Sequence, residues 1–282
     1  MTSTVVGAIE PRLQRAEMER ARRKPTESLD AYDYFLRGMS SFHSYTRDSL
    51  REAKRHFQHA TELDPDYASP RGMGAWCIAQ FKANGWLEDE NEVALGVKWA
   101  RRAIAEGKDD PTALWSAGHS LAYLAGEVEA GAAHIDRATT LNPNLAAAWS
   151  VSGWLRVYLG DAANAVEHLE RAKRLSPLDP FAHFGNTGMA FAHFLAGRYG
   201  EAVIWASKAV QEQPNFATSL RIAAVANALA GRTSEAQEAI ARLREIDPAA
   251  RLSNLANVAA PFRHREDLAR FTDGLRKAGL PE

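Results

Sequence analysis

Residues 146–179 read AAAWSVSGWLRVYLGDAANAVEHLERAKRLSPLD, and the placing of small and breaking residues in them decides the fold. Trp149 fills space early in a helical run. Gly153 removes the side chain where a second helix must come close, and Gly160 stops the run. Ala165, Leu169 and Ala172 then fall at helical spacing before Pro177 closes the stretch. The closing proline returns in like surroundings at Pro65, Pro143, Pro214 and Pro248. From 143 to 177 is 34 residues and from 214 to 248 is 34 again, while 177 to 214 is 37.

A 34-residue period of paired helices closed by proline resembles the tetratricopeptide repeat, a helix-turn-helix unit that stacks into a solenoid. The resemblance implies an all-α, right-handed α-α superhelix of about six repeats with extra terminal helices. Weaker copies surround the central one. Gly38, Ala53, Phe57, Ala60 and Pro65 mark a first unit, with about three extra residues expected in its turn around Ser44–Asp48. Leu114, Gly118, Ile135, Ala138 and Pro143 mark a third, Gly197, Tyr199, Ala202, Ala209 and Pro214 a fifth, and Gly231, Ala236 and Pro248 a sixth. The second unit departs most: Trp76 and Trp99 sit on its helices, a long loop runs from Lys82 to Asn91, and Gly107-Lys-Asp-Asp-Pro111 replaces the closing proline. Asp110-Pro111 and Asp179-Pro180 each place a capping acid before a proline, which suits a helix start. Gly160, Gly197 and Gly231 stand where first helices must stop and can adopt the left-handed conformation at low cost.

Three segments follow. Residues 1–25 form an amphipathic helix and linker, with Val5, Ile9, Leu13 and Ala16 near one face and Lys24-Pro25 ending it. Residues 26–250 form the solenoid. In residues 251–282, Leu268, Phe271 and Leu275 lie three and four apart on a helix expected to cap the open end of the stack.

Of the 282 residues, 46% are hydrophobic and 24% charged, values of a folded chain, and the formal charge is -1, which offers no general attraction to nucleic acid or anionic lipid. Cys77, the single cysteine, lies in an apolar helical run and reads as a buried, inert thiol. No stretch approaches the roughly 18 apolar residues of a membrane helix. The apolar run at the amino terminus is too short for a signal peptide, so a cytoplasmic protein is expected.

Beyond the generic repeat, Val5-Val6-Gly-Ala-Ile-Glu-Pro-Arg-Leu13, Ala31-Tyr-Asp-Tyr-Phe-Leu-Arg-Gly38, Leu141-Asn-Pro-Asn-Leu-Ala-Ala-Ala-Trp149, Leu175-Ser-Pro-Leu-Asp-Pro180, Phe191-Ala-His-Phe-Leu-Ala-Gly-Arg198 and the closing Asp267-Leu-Ala-Arg-Phe271 to Leu280-Pro-Glu282 resemble the C-terminal tetratricopeptide region of bacterial class III adenylate/guanylate cyclase-like proteins. The family's cyclase domain is a mixed α/β module with metal-binding aspartates presented from strands. This chain has no strand pattern to host them. The resemblance thus implies a signalling context without catalysis here.

Other chemistry finds little support. The pairs Asp30/Asp33, Asp64/Asp66 and Asp109/Asp110 sit at turns or helix starts, where capping accounts for them. His56 and His59 lie three apart on a helix but lack a metalloprotease motif. Gly72-Met-Gly74 lacks the strand and third glycine of a dinucleotide loop, and Gly185-Asn-Thr-Gly188 shares only two letters with a single-strand nucleic-acid module. No phosphate loop or nucleophile elbow occurs. The expectation is no enzyme, no metal and no cofactor.

In a tetratricopeptide stack the first helix of each unit lines the concave face. Its inward positions here are Tyr32, Phe35, Met39, Phe42, Trp76, Trp115, His119, Tyr123, Trp154, Tyr158, Phe184, Phe191 and Phe194, with Arg221 near the far end. The surface is aromatic and lacks the Lys/Asn pattern that clamps a C-terminal carboxylate. A protein partner offering an apolar or amphipathic helix, or an extended peptide, fits such a groove. An exposed apolar trough is itself unfavourable, so two occupants stay open: an external partner, or the chain's own terminal helix. Self-association also stays open. The expected role is a non-catalytic interaction scaffold of a cyclase-like signalling system. The alternative is a fragment regulating a nucleotide cyclase or transcription factor in trans through its N-terminal helix.

Overall fold

The computed structural model describes residues 16–21, 29–89 and 91–282, and every regular element among them is helical. Twelve helices follow as six pairs. The first three are α1 (Ala31–Ser44) with α2 (Arg47–Leu63), α3 (Ala68–Ala83) with α4 (Asn91–Glu106), and α5 (Pro111–Ala125) with α6 (Val128–Leu141). Then come α7 (Ala146–Tyr158) with α8 (Ala162–Leu175), α9 (Ala182–Leu195) with α10 (Tyr199–Glu212), and α11 (Ala217–Leu229) with α12 (Thr233–Ile246). A 3-10 turn at Leu252–Asn257 and α13 (Arg265–Lys277) complete the described chain. Residues 16–21 are also helical, and Met18 and Ala21 pack on Leu36 and Met39. The rest of the amphipathic helix expected over 1–25 lies outside the described residues.

The two helices of a pair differ in composition because they differ in surroundings. On α5 every residue from Ala113 to Leu124 is buried, whereas α6 buries a stripe of Gly131, Ala132, Ile135 and Ala138. A helix apolar all round must be covered on all sides, while one with a single apolar stripe faces solvent with the remainder. Small residues set the spacing within a pair. A Cβ added to Gly118 would lie 2.9 Å from the carbonyl oxygen of Gly131, so α5 and α6 meet backbone to backbone. Gly153 does the same for α7, where an added Cβ would sit 2.5 Å from Leu169 Cγ of α8.

Caps fall where the sequence places most of them. Asp110 accepts from the amides of Thr112 and Ala113, and Asp30 and Asp33 form a reciprocal box at the start of α1. Gly160, Gly197 and Gly231 take φ of 80°, 71° and 77° at the ends of first helices. Asp179 is not the N-cap residue of the next helix. The structure begins α9 at Ala182 behind Phe181, whose ring stacks on Phe184 at 5.2 Å. The 37-residue interval is absorbed largely here, since α9 starts five residues after Pro177 where α7 and α11 start three after their prolines. The extra residues of the first unit do not lengthen its turn either: they extend α2 to 17 residues, and only Tyr45 and Thr46 separate it from α1. Gly107 stands in for a closing proline because a Cβ there would lie 2.6 Å from that of Ala68 and 2.8 Å from that of Ala113.

By their internal contacts the described residues divide into two compact units. One comprises residues up to Lys82, Trp86–Val151 and Ala172–Pro180; the other comprises Ala83–Gly85, Ser152–Arg171 and Phe181–Glu282. Among the described residues no helix is long and apolar enough to cross a membrane.

Candidate functional site

In the first unit the aromatic line runs along α1, α3 and α5. Phe42 stacks on Trp76 with centroids 4.7 Å apart, and Trp76 meets Trp115 edge-on at 4.7 Å and His119 at 6.2 Å. His119 in turn stacks on Tyr123 at 6.0 Å. All five are buried. Burial pushes the His119 imidazole down to about 3, so the ring is neutral near pH 7. The indole N–H of Trp115 is buried and finds no hydrogen-bond acceptor among the described residues. Nearer the start of the chain the line stays accessible. Tyr32 is 43% exposed and its hydroxyl donates to Glu17 at 2.9 Å. Phe35 is half-buried against Phe57 and Tyr67, and Met39 lies against the Met18, Ala21 and Leu36 cluster.

In the second unit the line begins at Trp154 of α7, whose indole donates to the Phe184 carbonyl at 3.0 Å and whose ring touches Tyr158, Phe184 and Phe191. Here the chain covers its own aromatics. Phe271 of α13 stacks on Phe191 at 5.5 Å, meets Phe194 edge-on at 5.9 Å and touches Phe262 at 5.7 Å. Two hydrogen bonds fix the segment to the ends of first helices. The Arg263 amide donates to the Tyr158 carbonyl at 2.8 Å and the Arg270 guanidinium to the Leu195 carbonyl at 3.1 Å. Those carbonyls are among the acceptors that a helix C-terminus leaves without an intrahelical donor. Gly274 allows α13 to lie on α11, since a Cβ there would be 2.7 Å from Val225 Cγ1. Arg221 is a structural anchor: its Nη1 donates to the Ala83 carbonyl at 2.7 Å and its Nη2 lies 3.8 Å from Asp247. Beside it the Ala217 amide donates to Asn84 Oδ1 at 3.2 Å.

The fourteen residues expected to line an open groove therefore divide. Tyr32, Phe35 and Met39 keep accessible surface. Phe42, Trp76, Trp115, His119, Tyr123, Trp154, Tyr158, Phe184, Phe191, Phe194 and Arg221 are buried, and in this structure they are packing residues rather than an open wall. Apolar rings left in water are unfavourable by about 25 cal/mol per Å², so ring-on-ring packing and the returning C-terminal segment cover them.

The sequence reading missed one surface feature. A cleft of about 530 Å³ opens between α2 and the long loop before α4, lined by Asp48, Arg51, Lys54, Arg55, Phe81, Trp86, Glu88, Asp89 and Glu92. Its charges pair across it: Glu88 takes Arg47 and Arg51, and Glu92 takes Lys54. The length of the Lys82–Asn91 loop was the available signal. The isolated candidates have ordinary roles. His59 pairs with Glu62 at 3.2 Å and meets Tyr34 edge-on at 4.4 Å, while His56 lies 3.8 Å from Glu52. The Asp66 amide donates to the Asp64 carboxylate, and Asp109 pairs with Arg137. Burial pushes the Cys77 thiol well up, away from the reactive thiolate. Among the described residues no three His, Cys, Asp or Glu side chains gather in a metal-holding group.

No family model matches the chain and no curated protein matches it in sequence. Solved structures do. The APC/C hetero-tetramer Cut9–Hcn1 superposes with a TM-score of 0.62 at 12% identity over 95% of this chain, which spans 49% of that one. PilW, described as a widely conserved type IV pilus biogenesis factor, gives 0.51 at 18% identity over 78% of this chain and 94% of its own. A thermophilic TPR protein of Thermus thermophilus, TTC0263, gives 0.49 at 17% identity over 66% of this chain and 92% of its own. With the six helix pairs and their 34-residue punctuation, the fold is that of an all-α tetratricopeptide solenoid.

Proposed function

We propose that this protein is a non-catalytic interaction module that takes an amphipathic helix of a protein partner, and that it is the scaffolding half of a cyclase-like signalling system in the cytoplasm. The observation that carries the first part is α13. An amphipathic helix with one buried stripe, Phe271, Gly274 and Leu275, already lies on the first helices α9 and α11, using ring contacts and backbone carbonyls that any similar helix can use. The side chains considered for catalysis are engaged in caps, ion pairs and packing, which supports a binding role. The cyclase context is supported by the resemblance of the quoted stretches alone.

Co-expression tests the reading. The tagged full chain should co-elute with a co-expressed bacterial class III cyclase-like protein and change its nucleotide turnover. Independent elution with unchanged turnover would remove the cyclase context. Failure to bind any protein bearing an exposed amphipathic helix would remove the interaction role.

A further inference from the structure

We propose that a cavity of about 220 Å³ between α2 and α4 binds a small apolar carboxylate, an anion carrying one ring or one short branched chain. None of the fourteen aromatic-line residues belongs to its lining, and the site does not depend on the interaction role above.

The interior is apolar and preformed. Phe57, Pro70 and Arg71 are buried at its floor, and half-buried Trp99 makes one wall. Gly74 leaves room for that indole against α3, since a Cβ there would lie 2.7 Å from Trp99 Cζ3. The mouth carries the exposed side chains of Gln58, Glu62, Lys98 and Arg102. Apolar walls with a few placed polar groups are the usual make-up of a small-molecule site, and drug-sized ligands occupy about 300 Å³ or more. This cavity therefore takes something smaller.

Positive charge is in excess around it. Arg71, 4% exposed, pairs with Glu106 and donates to the Pro65 carbonyl at 3.3 Å. The other oxygen of Glu106 accepts from Arg102 Nε at 2.6 Å, so one carboxylate serves both guanidinium groups. Lys98 has no carboxylate partner among the described residues. Glu62, the one acid of the lining, is engaged by Gln58 at 3.0 Å and by His59 at 3.2 Å. Three cations are thus met by one shared carboxylate and one occupied elsewhere. Lys98 and Arg102 also stand four apart on α4, a spacing at which like charges lower helix stability. Burial, and after it the charge of Arg102, act against the Arg71 guanidinium. An anion at the mouth relieves these repulsions. The larger cleft beside Trp86 offers no such excess, because four acids there meet three cations. A bare ion would leave the rings of the floor without a gain, whereas an apolar body covers them.

The probe is 4-fluorobenzoate, followed by fluorine NMR on titration with the full chain, and 4-fluorobenzyl alcohol is its uncharged match. The acid should bind saturably with a Kd of about 1 mM or below, and the alcohol about tenfold more weakly. Lys98→Glu, at an exposed position without a partner, should weaken the acid about tenfold, while Lys98→Arg should hold it within about twofold. Gln58→Trp, which fills the mouth, should abolish binding. Equal binding of acid and alcohol would overturn the proposal, as would unchanged affinity in either Lys98→Glu or Gln58→Trp. So would displacement of the probe by an equal concentration of inorganic phosphate, which lacks the apolar body. Absence of saturation at about ten times the expected Kd would overturn it too. Acid and alcohol are compared on the unaltered chain, so that outcome is independent of how any variant folds.

Discussion

Buried histidines and tightly spaced glycines carry the clearest consequences of single residues. His119 is neutral in the fold because burial holds it near 3, while in the unfolded chain it titrates near 6.5. Only the unfolded chain takes up its proton between those values, so stability is complete above pH 6.5 and falls as pH drops toward 3, by up to about 1.4 kcal/mol per pH unit. Urea titrations at pH 7.5 and 5 should therefore show a loss at the lower pH, and His119→Phe should shrink it. Residual loss is expected because His56, His134 and His193 are also shifted down, chiefly by burial. Glycines separate two effects. A Cβ at Gly131 would overlap the Gly118 carbonyl, whereas Gly126 has φ of 73° and open space around it. Gly131→Ala should cost about 1–3 kcal/mol by overpacking and Gly126→Asn less, about 1 kcal/mol from the left-handed conformation alone, as read by chemical denaturation. Tyr45 was not legible in this way. It holds φ of 47° at the end of α1, a place for glycine, because its buried ring meets Phe42 and its hydroxyl donates to Gln80 at 2.7 Å. That choice depends on a residue 35 positions away, which no local pattern reports.

Helix ends and lengths show where one repeat unit ceases to be a copy of the next. Asp110 satisfies two amides of α5 and also accepts from the Ser69 hydroxyl, so Asp110→Ala should lower stability by about 1 kcal/mol or somewhat more, measured as a shift in the urea midpoint at constant slope. Asp179, which looks alike in sequence, is not an N-cap, because the next helix starts three residues later at Ala182. The difference lies in Phe181, which continues the aromatic line toward Phe184 and delays the start of α9. Local capping propensity was overruled by a ring contact. The extension of α2 has a similar cause: Thr46 and Ser49 form a capping box, with α1 ending at the buried Tyr45, so the added residues had to enter the helix. On α13, Phe271→Ala should cost about 3 kcal/mol if α13 unfolds with its unit. It should instead mainly raise exchange of residues 265–278 if α13 opens alone.

At the scale of the whole chain, stability in a stacked-helix fold is a sum of unit and nearest-neighbour terms rather than of one shared core. Gly131→Ala should therefore speed hydrogen exchange in α5, α6 and their immediate neighbours while leaving α11, α12 and α13 unchanged. Uniform acceleration along the chain would show a single cooperative body. The balanced charge and the exposure of most ion pairs, such as Arg101–Glu127 and Lys277–Asp273, predict a second property. Added salt to 0.5 M should move the urea midpoint little, since exposed pairs contribute about 0–1 kcal/mol each.

What the sequence by itself determined is the periodic part: six helix pairs, their order, the glycines that end first helices, and the small residues where backbones meet. These follow from short-range sterics and a repeating pattern, and each unit restates them. It also set aromatics on the first helices, expected there as one line. Only the tertiary structure decided what covers that line. Phe262 and Phe271 reach Phe191 across some 70 to 80 residues of chain, and Arg221 reaches Ala83 across 138. Burial of a ring depends on which distant segment can be brought to it with its polar groups satisfied, and that is settled by packing in three dimensions, not by the spacing of residues along one helix.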